Sequence, residues 1–507
     1  MEEIQMIKWK EACVKIKESG LNVGNEIGSY GVYPNSLQEV NGSFVYLVKE
    51  GLMKKLVIQG KSPLFESFSG EVEEIEGESV KVCGLTHENC VALREVFPFT
   101  APISVLKFPK SIGLGDRLGL ASPGHIRLIK EYDMKPILAQ QSIRELNLTG
   151  RNYKEVLDDA SWAVFQEGYK GGFGADGDHL KTAEEVKGAL ECGYTMITLD
   201  CSEHIDNKVD QMSDEEVDKA YDNFKQESVE SKYLGKEFNL GNDITVSFDS
   251  DDFKRIVLTY SKAIDFASEI YHQIIKDYSR EVDFEISIDE TLTPTSPQAH
   301  FFVAQELKDK EVNSATVAPR FCGEFQKGID YIGNVEKFDE EFIVHTAIAD
   351  YFGYKISVHS GSDKFSVFPI VGEKTKGRYH VKTAGTNWLE AIRVIATKDP
   401  TLYREIHSFA LSVLDDAKKY YHIGADINNI QQLDQLKDEE LPGLMDKDDS
   451  RQVLHITYGL ILQAKKDNGE YLFRDRIYDL LNVHEDAYYD ALYKHIGRHV
   501  KALESVL

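Results

Sequence analysis

The chain has 507 residues, 42% of them apolar and 28% charged, the proportions of a compact globular protein and not of a disordered, collagen-like or membrane-spanning one. Its 58 Lys and Arg face 85 Asp and Glu, a net charge of −27, so nucleic acid would be repelled and a small anionic ligand would need a local basic pocket. The six cysteines form no Cys-x-x-Cys pair and read as free buried thiols.

The first residues, MEEIQMIKWKEACVKIKESG, lack the apolar core and small-residue cleavage site of a secretory signal. No segment approaches the roughly eighteen consecutive apolar residues of a membrane span. The expectation is a cytoplasmic protein with no membrane partner. Residues 1–97 are β-leaning and turn-rich: SFVYLVKEG, KKLVIQG and ESVKVCGL carry alternating or β-branched runs ended by glycine, which predicts a small N-terminal β-rich module.

From residue 98 to 398 short apolar strands ending in polar clusters alternate with longer amphipathic stretches, which predicts parallel β/α units and a TIM-type β/α barrel. Strands are expected at PISVLKF, KPILAQQS, GGFGADGDH, MITLDCSEH, FEISIDE, SATVAPRF, KISVHSGS and RYHVKTAGTN. The acidic stretch from about 206 to 239 reads as an inserted helical segment on the surface. Residues 399–507 space their apolar side chains at helical intervals, predicting a C-terminal helical region split by the loop DEELPGLMDKDD. The tyrosine stripe of the last helix reads as packing surface, within the chain or between subunits, which leaves a homo-oligomer open.

In parallel β/α folds reactive groups gather at the carboxyl ends of strands. GADGDHLKT places Asp176, Asp178 and His179 there, as a metal ligand beside an acid/base. In KISVHSGSDKF, period-two alternation turns Ile356 and Val358 toward the covering helices and Ser357 and His359 inward. In DFEISIDET the same count sends Glu285, Ser287 and Asp289 to the axis, where a carboxylate must meet a cation, a metal or a proton. MITLDCSEH turns Thr198, Asp200 and Ser202 inward, and SATVAPRFCGE delivers Arg320 and Glu324 to the mouth. Two histidines with carboxylates fit a divalent ion of the zinc, nickel, manganese or iron group. His179 and His359 are the expected ligands; Glu324, Asp200 and Asp289 stay open as the third, with Glu324 carried forward.

The last strand turns Lys382 inward, and TAGTN opens a helix whose free N–H groups suit an anion. Thr386 or Asn387 would otherwise serve as a plain N-cap. A rival motif, GLGDRLG, places Gly113, Gly115 and Gly119 in a near match to dinucleotide loops. Gln140 and Gln141 stand where nicotinamide-cofactor recognition would want an acid, so the segment reads as a substrate-facing loop with Arg117 and His125 as polar contacts.

The strings GADGDHLKT, LDCSEHI, FEISIDETLTPTSPQAHFF, APRFCGEFQKGIDYIGN, ISVHSGSDKF and HVKTAGTNW resemble those of the tagaturonate epimerase family, across most of the chain. The resemblance implies a barrel-fold, divalent-metal-dependent epimerase that interconverts the keto-uronates D-tagaturonate and D-fructuronate in hexuronate catabolism. It carries over onto Asp178, His179 and His359. The inverted centre lies two carbons from the ketone, so proton removal next to the carbonyl cannot invert it. Retro-aldol cleavage and re-addition can, with Asp178 and Glu285 expected as the exchanging acid/base pair. Lys382 and Asn387, with Arg320 as a second cation, are expected to hold the substrate carboxylate. A bound nicotinamide that oxidises and re-reduces the carbon would also serve, and only the glycine loop favours it. The other readings are a metal-dependent ketose or uronate isomerase or aldolase and, less favoured, a nonenzymatic carbohydrate-binding protein, against which the inward Glu285 and the paired histidines argue.

Overall fold

The structure, a computed structural model, describes residues 2–224 and 227–506, with the side chains of residues 2–7, 227–228 and 386 outside that description. Eight parallel strands close a barrel: β1 (Lys110–Leu114), β2 (Lys135–Ser142), β3 (Gly174–Leu180), β4 (Met196–Asp200), β5 (Asp283–Ile288), β6 (Thr316–Pro319), β7 (Lys355–Val358) and β8 (Tyr379–Thr383). Each pairs with the next in sequence, and β8 closes on β1. Phe284, Ile286 and Ile288 of β5 and Ile356 and Val358 of β7 pack outward against the helices in one continuous core. Their alternates stay polar because they face the barrel axis.

The expected first strand, PISVLKF, is not a strand; β1 is the following KSIGL segment. The run is apolar because it plugs the amino-terminal end of the barrel, where Val105 and Leu106 pack on Ile137 and Met196. Asp283 holds it there, its Oδ2 accepting the N–H groups of Val105 (2.7 Å) and Leu106 (3.0 Å).

The N-terminal module contains a five-stranded antiparallel sheet and also a helix, Glu2–Ser19, which the β-leaning reading of residues 1–97 did not contain. The helix explains why SFVYLVKE is apolar almost throughout. Val45 and Leu47 face Trp162 and Phe165 of a barrel helix, while Tyr46 and Val48 face Trp9 and Ile16 of the N-terminal helix. A sheet covered on both faces loses its alternation.

The acidic segment holds helices Asp214–Asp222 and Glu227–Tyr233 and opens a two-stranded hairpin, Glu237–Gly241 with Ile244–Ser247. Tyr233, Phe238 and Phe248 anchor it on Phe253, Phe301 and Phe302. The C-terminal helices build a second core around Trp388, Leu389 and Ile392. The last helix, Glu485–Glu504, packs within the chain against Ser122–Ile129, Phe368–Lys374 and Thr386–Lys398, with Tyr488 and Tyr489 buried. A side chain at Gly372 would collide with the Leu503 carbonyl, so glycine is required at that crossing. Among the described residues no helix is long and apolar enough to cross a membrane.

Candidate active site

A cavity of about 640 Å³ opens at the carboxyl ends of the barrel strands, as the fold leads one to expect. At its floor Lys382 of β8 forms a hub. Its Nζ lies 2.7 Å from Asp176 Oδ2, 2.7 Å from Asp178 Oδ1 and 2.8 Å from Glu285 Oε1, and it also donates to Thr198. Burial pushes the Asp176 carboxyl up to about 6, with Lys382 opposing and Asp178 and Glu285 adding to the rise. Burial acts the same way on Asp178, but Lys382 and His179 outweigh it and hold that carboxyl well below its usual range. Glu285 is depressed in the same manner by Lys382 and His359.

Above the hub, one ligand atom from each of His179, Asp289 and His359 comes within 4.8 Å of the others. The imidazole centroids are 4.9 Å apart. His179 takes a positive φ of 54°, where the register of β3 against β4 slips between Gly177 and Leu180. That bulge turns the ring into the mouth at a cost of about 1–3 kcal/mol. Asp178 Oδ1 fixes His179 Nδ1 at 2.9 Å, leaving Nε2 outward, and Glu285 Oε1 fixes His359 Nε2 at 2.8 Å. His359 Nδ1 is buried without a hydrogen-bond partner, 3.2 Å from Asp289 Oδ2.

These features fit a divalent cation. Carboxylate-oriented imidazoles with one open nitrogen are the usual second-shell arrangement of metal sites. Asp176, Asp178, Glu285 and Asp289 converge with a single lysine among them, an excess of negative charge in a buried place. Burial alone would lower His179, but Asp178 lifts it to about 10, and Asp289 and Glu285 lift His359 likewise.

The residues expected from sequence distribute unevenly. Asp178, His179, His359 and Lys382 line the cavity, as do Asp200, Asp289 and Arg117. Glu285 has no exposed surface; its Oε2 accepts from Thr316 at 2.5 Å and its Oε1 is taken by Lys382 and His359. It orients the site and does not reach a substrate. Glu324 is exposed on the loop after β6, its backbone paired with Ile332 and its carboxylate bonded by Gln326, outside the histidine grouping where Asp289 stands instead. Arg320 lines an adjoining recess and donates to the Thr291 carbonyl.

Lys382 is committed to carboxylates of the protein itself, so the expectation that it holds the substrate carboxylate is corrected. Asn387 gives its amide to the carbonyls of Gly115 and Ala384 (2.9 Å) and does not line the cavity. Gly385 occupies the N-cap position, and the Thr386 side chain lies outside the described residues. The glycine loop has packing reasons of its own. A Cβ at Gly113 would collide with Gln140 Oε1, and Gly119 has φ +74°. The Asp116 carboxylate accepts the N–H groups of Ala121 (2.7 Å) and Ser122 (3.1 Å), the amides a dinucleotide phosphate would need. His125 is buried away from the cavity, and burial pushes it down to about 4.

Arg144, Lys327, Tyr421 and His455 also line the cavity and were not singled out in the sequence. Arg144 lies just past the end of β2, a strand-end position that offered a signal; Lys327 and Tyr421 come from irregular stretches and His455 from the C-terminal helix Asp448–Ile456, where no strand marks them. A second buried grouping, Asp363, His495 and His499, is satisfied internally. Asp363 pairs with His495 (2.5 Å) and Arg451 (2.7 Å), and its N–H donates to His499 Nε2 (2.9 Å).

The profile of the tagaturonate epimerase (UxaE) family matches residues 33–503. The chain is 42% identical over 477 residues to the tagaturonate/fructuronate epimerase of Thermotoga maritima, spanning 94% of this chain and 97% of that one. It is similar to the glycerol-complexed crystal structure of the fructuronate-tagaturonate epimerase UxaE from Cohnella laeviribosi, with TM-score 0.90, 53% identity, and 93% and 96% of the two chains covered. The native crystal structure of that enzyme aligns with TM-score 0.90 and 52% identity over 97% and 99% of the chains.

Proposed function

The chain belongs to the tagaturonate epimerase family and is an isomerase of that type, and from that premise we propose that it interconverts D-tagaturonate and D-fructuronate in hexuronate catabolism by retro-aldol cleavage and re-addition, with a divalent ion at His179, Asp289 and His359. The observation that carries the reading is the convergence of two carboxylate-oriented imidazoles and Asp289 beside Asp178 in one cavity at the strand ends. An ion held there would polarise the ketone and stabilise the negative charge that develops on its oxygen.

Asp178 takes the proton of the hydroxyl on the centre to be inverted, two carbons from the ketone. The bond between that carbon and the carbon next to the ketone breaks; its electron pair passes to the ketone fragment as an enediolate, and the hydroxyl carbon becomes an aldehyde. The aldehyde turns about its remaining carbon–carbon bond, the enediolate carbon adds to its other face, and the new alkoxide takes a proton from a second acid. Glu285 is enclosed, so Asp200, on the neighbouring strand and facing the same cavity, takes that role in place of it. Ser202 N–H (2.8 Å) and Lys181 (3.6 Å) hold Asp200 in position. In the reverse direction the two carboxyls exchange roles.

The test incubates chelated and metal-restored protein separately with each keto-uronate and follows both sugars by chromatography. Conversion restored by a divalent ion supports the reading, and unchanged substrate with every ion defeats it. An aldolase would release two fragments and an isomerase would move the carbonyl, so product analysis separates those reactions from epimerisation.

A further inference from the structure

The cavity lining carries both signs of charge. Besides the acidic hub and the histidine grouping it holds a set of mutually interacting cations: Arg117 and Lys327, on the loops after β1 and β6, and Arg144, in the first turn of the helix Ile143–Thr149 that follows β2. Only one of these cations has a carboxylate partner among the described residues: Arg117 donates to Glu145 Oε1 through Nε (2.9 Å) and Nη2 (2.7 Å). Its Nη1 is buried with no hydrogen-bond partner, although the residue is only 3% exposed and its guanidinium stacks on Tyr458 at 3.8 Å. Arg144 stacks on Tyr421 at 4.8 Å and has no ion pair among the described residues. Lys327 Nζ donates to Ser360 Oγ at 2.8 Å, and Ser360 is held at φ +51° on the turn that follows His359.

In a chain of net charge −27, three cations that share Glu145 as their common carboxylate neighbour outnumber it locally against the surrounding field. The groups feel it: burial and then Arg144 depress the Lys327 ammonium, and burial with Arg117 and Lys327 holds His455 well below its usual range. An anion entering among these cations would relieve the repulsion and meet a donor that has no other partner.

We propose that Lys327 and Arg144, backed by Arg117, form the subsite that grips the substrate carboxylate and so selects keto-uronates over neutral ketoses. The assignment rests on the keto-uronate reading above and replaces Lys382, Asn387 and Arg320 in that role. It also bears on the mechanism. Retro-aldol cleavage leaves the carboxylate on the aldehyde fragment, joined to the inverted carbon through one intervening carbon. A cationic grip there holds the detached fragment while its aldehyde turns over.

The test compares wild type with Lys327→Met, Arg144→Met and Lys327→Arg, all loaded with the same divalent ion. Each Met variant should raise KM for tagaturonate by about tenfold or more, the worth of a charge-assisted hydrogen bond. Lys327→Arg should stay within about threefold of wild type in KM, since the charge is retained. A competition titration against the ketohexose bearing a hydroxymethyl group in place of the carboxylate separates recognition from packing. The preference for the uronate over that neutral sugar should fall about tenfold in the Met variants. An unchanged preference, or equal weakening for both sugars, overturns the subsite. Because Arg144 is exposed, its replacement keeps the test informative even if Lys327→Met folds poorly. Wild-type turnover with unaltered variants removes the subsite alone, whereas no wild-type turnover of either keto-uronate removes the function and the subsite together.

Discussion

Glu285 Oε1 stands 2.8 Å from Lys382 Nζ and 2.8 Å from His359 Nε2, so one oxygen ties the hub lysine to an imidazole of the candidate metal centre. With the second oxygen held by Thr316 at 2.5 Å, the carboxylate fixes the ring through Nε2 and leaves Nδ1 beside Asp289 Oδ2, at 3.2 Å. Removing that charge should act on metal binding before it acts on chemistry. Glu285→Gln keeps the shape but sets an amide against the lysine, and the divalent ion should bind about 10- to 100-fold more weakly in a titration of metal-free protein. Unaltered affinity would contradict the orienting role.

The three groups assigned to the ion should fail individually. His179→Ala, His359→Ala and Asp289→Asn should each lose bound metal by elemental analysis after dialysis, while Glu324→Ala, on the exposed loop, should retain it. Full occupancy in any of the first three variants removes that residue from the centre.

Metal uptake should release protons. Burial alone would lower His179, yet Asp178 lifts it to about 10, and His359 is raised as well. Coordination requires the neutral imidazole, so at about pH 8 binding should expel about one proton or more, and affinity should climb with pH until His179 is neutral without metal. Calorimetry in buffers of different ionisation enthalpy measures this directly; equal heats in all buffers would show that the imidazoles were already neutral.

The Asp363–His495 pair should give the protein a stability decline on the alkaline side. His495 lies between Asp363 (2.5 Å) and Glu390 (3.1 Å), which together overcome the lowering effect of burial and raise it from 6.5 to about 9. A raised folded-state pKa stabilises fully below about 6.5, and that contribution fades as pH climbs through about 9, a loss on the order of 3 kcal/mol. Asp363, held well below its usual range against burial by His495 and Arg451, loses its own contribution only in acid, outside this window. Melting curves of wild type and His495→Gln should therefore converge between about pH 6.5 and 9, and a constant gap would argue against the pair as its source.

What the sequence by itself determined is what repeats locally. The alternation of Phe284, Ile286 and Ile288 with Glu285 and Ser287 told inside from outside on β5, and polar residues at strand ends marked Asp178, His179 and His359, because side-chain direction in a strand depends only on its nearest neighbours. Seven of the eight expected strand segments overlap the barrel strands. The failure at PISVLKF has the same origin: apolarity reports burial, and a plug under a barrel is buried as thoroughly as a strand.

Tertiary structure alone decided the partners. Asp289 rather than Glu324 stands with the histidines because the loop after β6 carries Glu324 outward to pair with Ile332. Lys382 is consumed by acids from β3 and β5 that only barrel closure brings to it. Of the cations left for an anion, Lys327 sits on a loop whose course follows no period, and Arg144, in the helix that starts just past β2, finds its role only through neighbours from distant stretches of chain. A charge takes its role from the oppositely charged groups within a few ångströms of it, and in a closed barrel those come from distant stretches of chain.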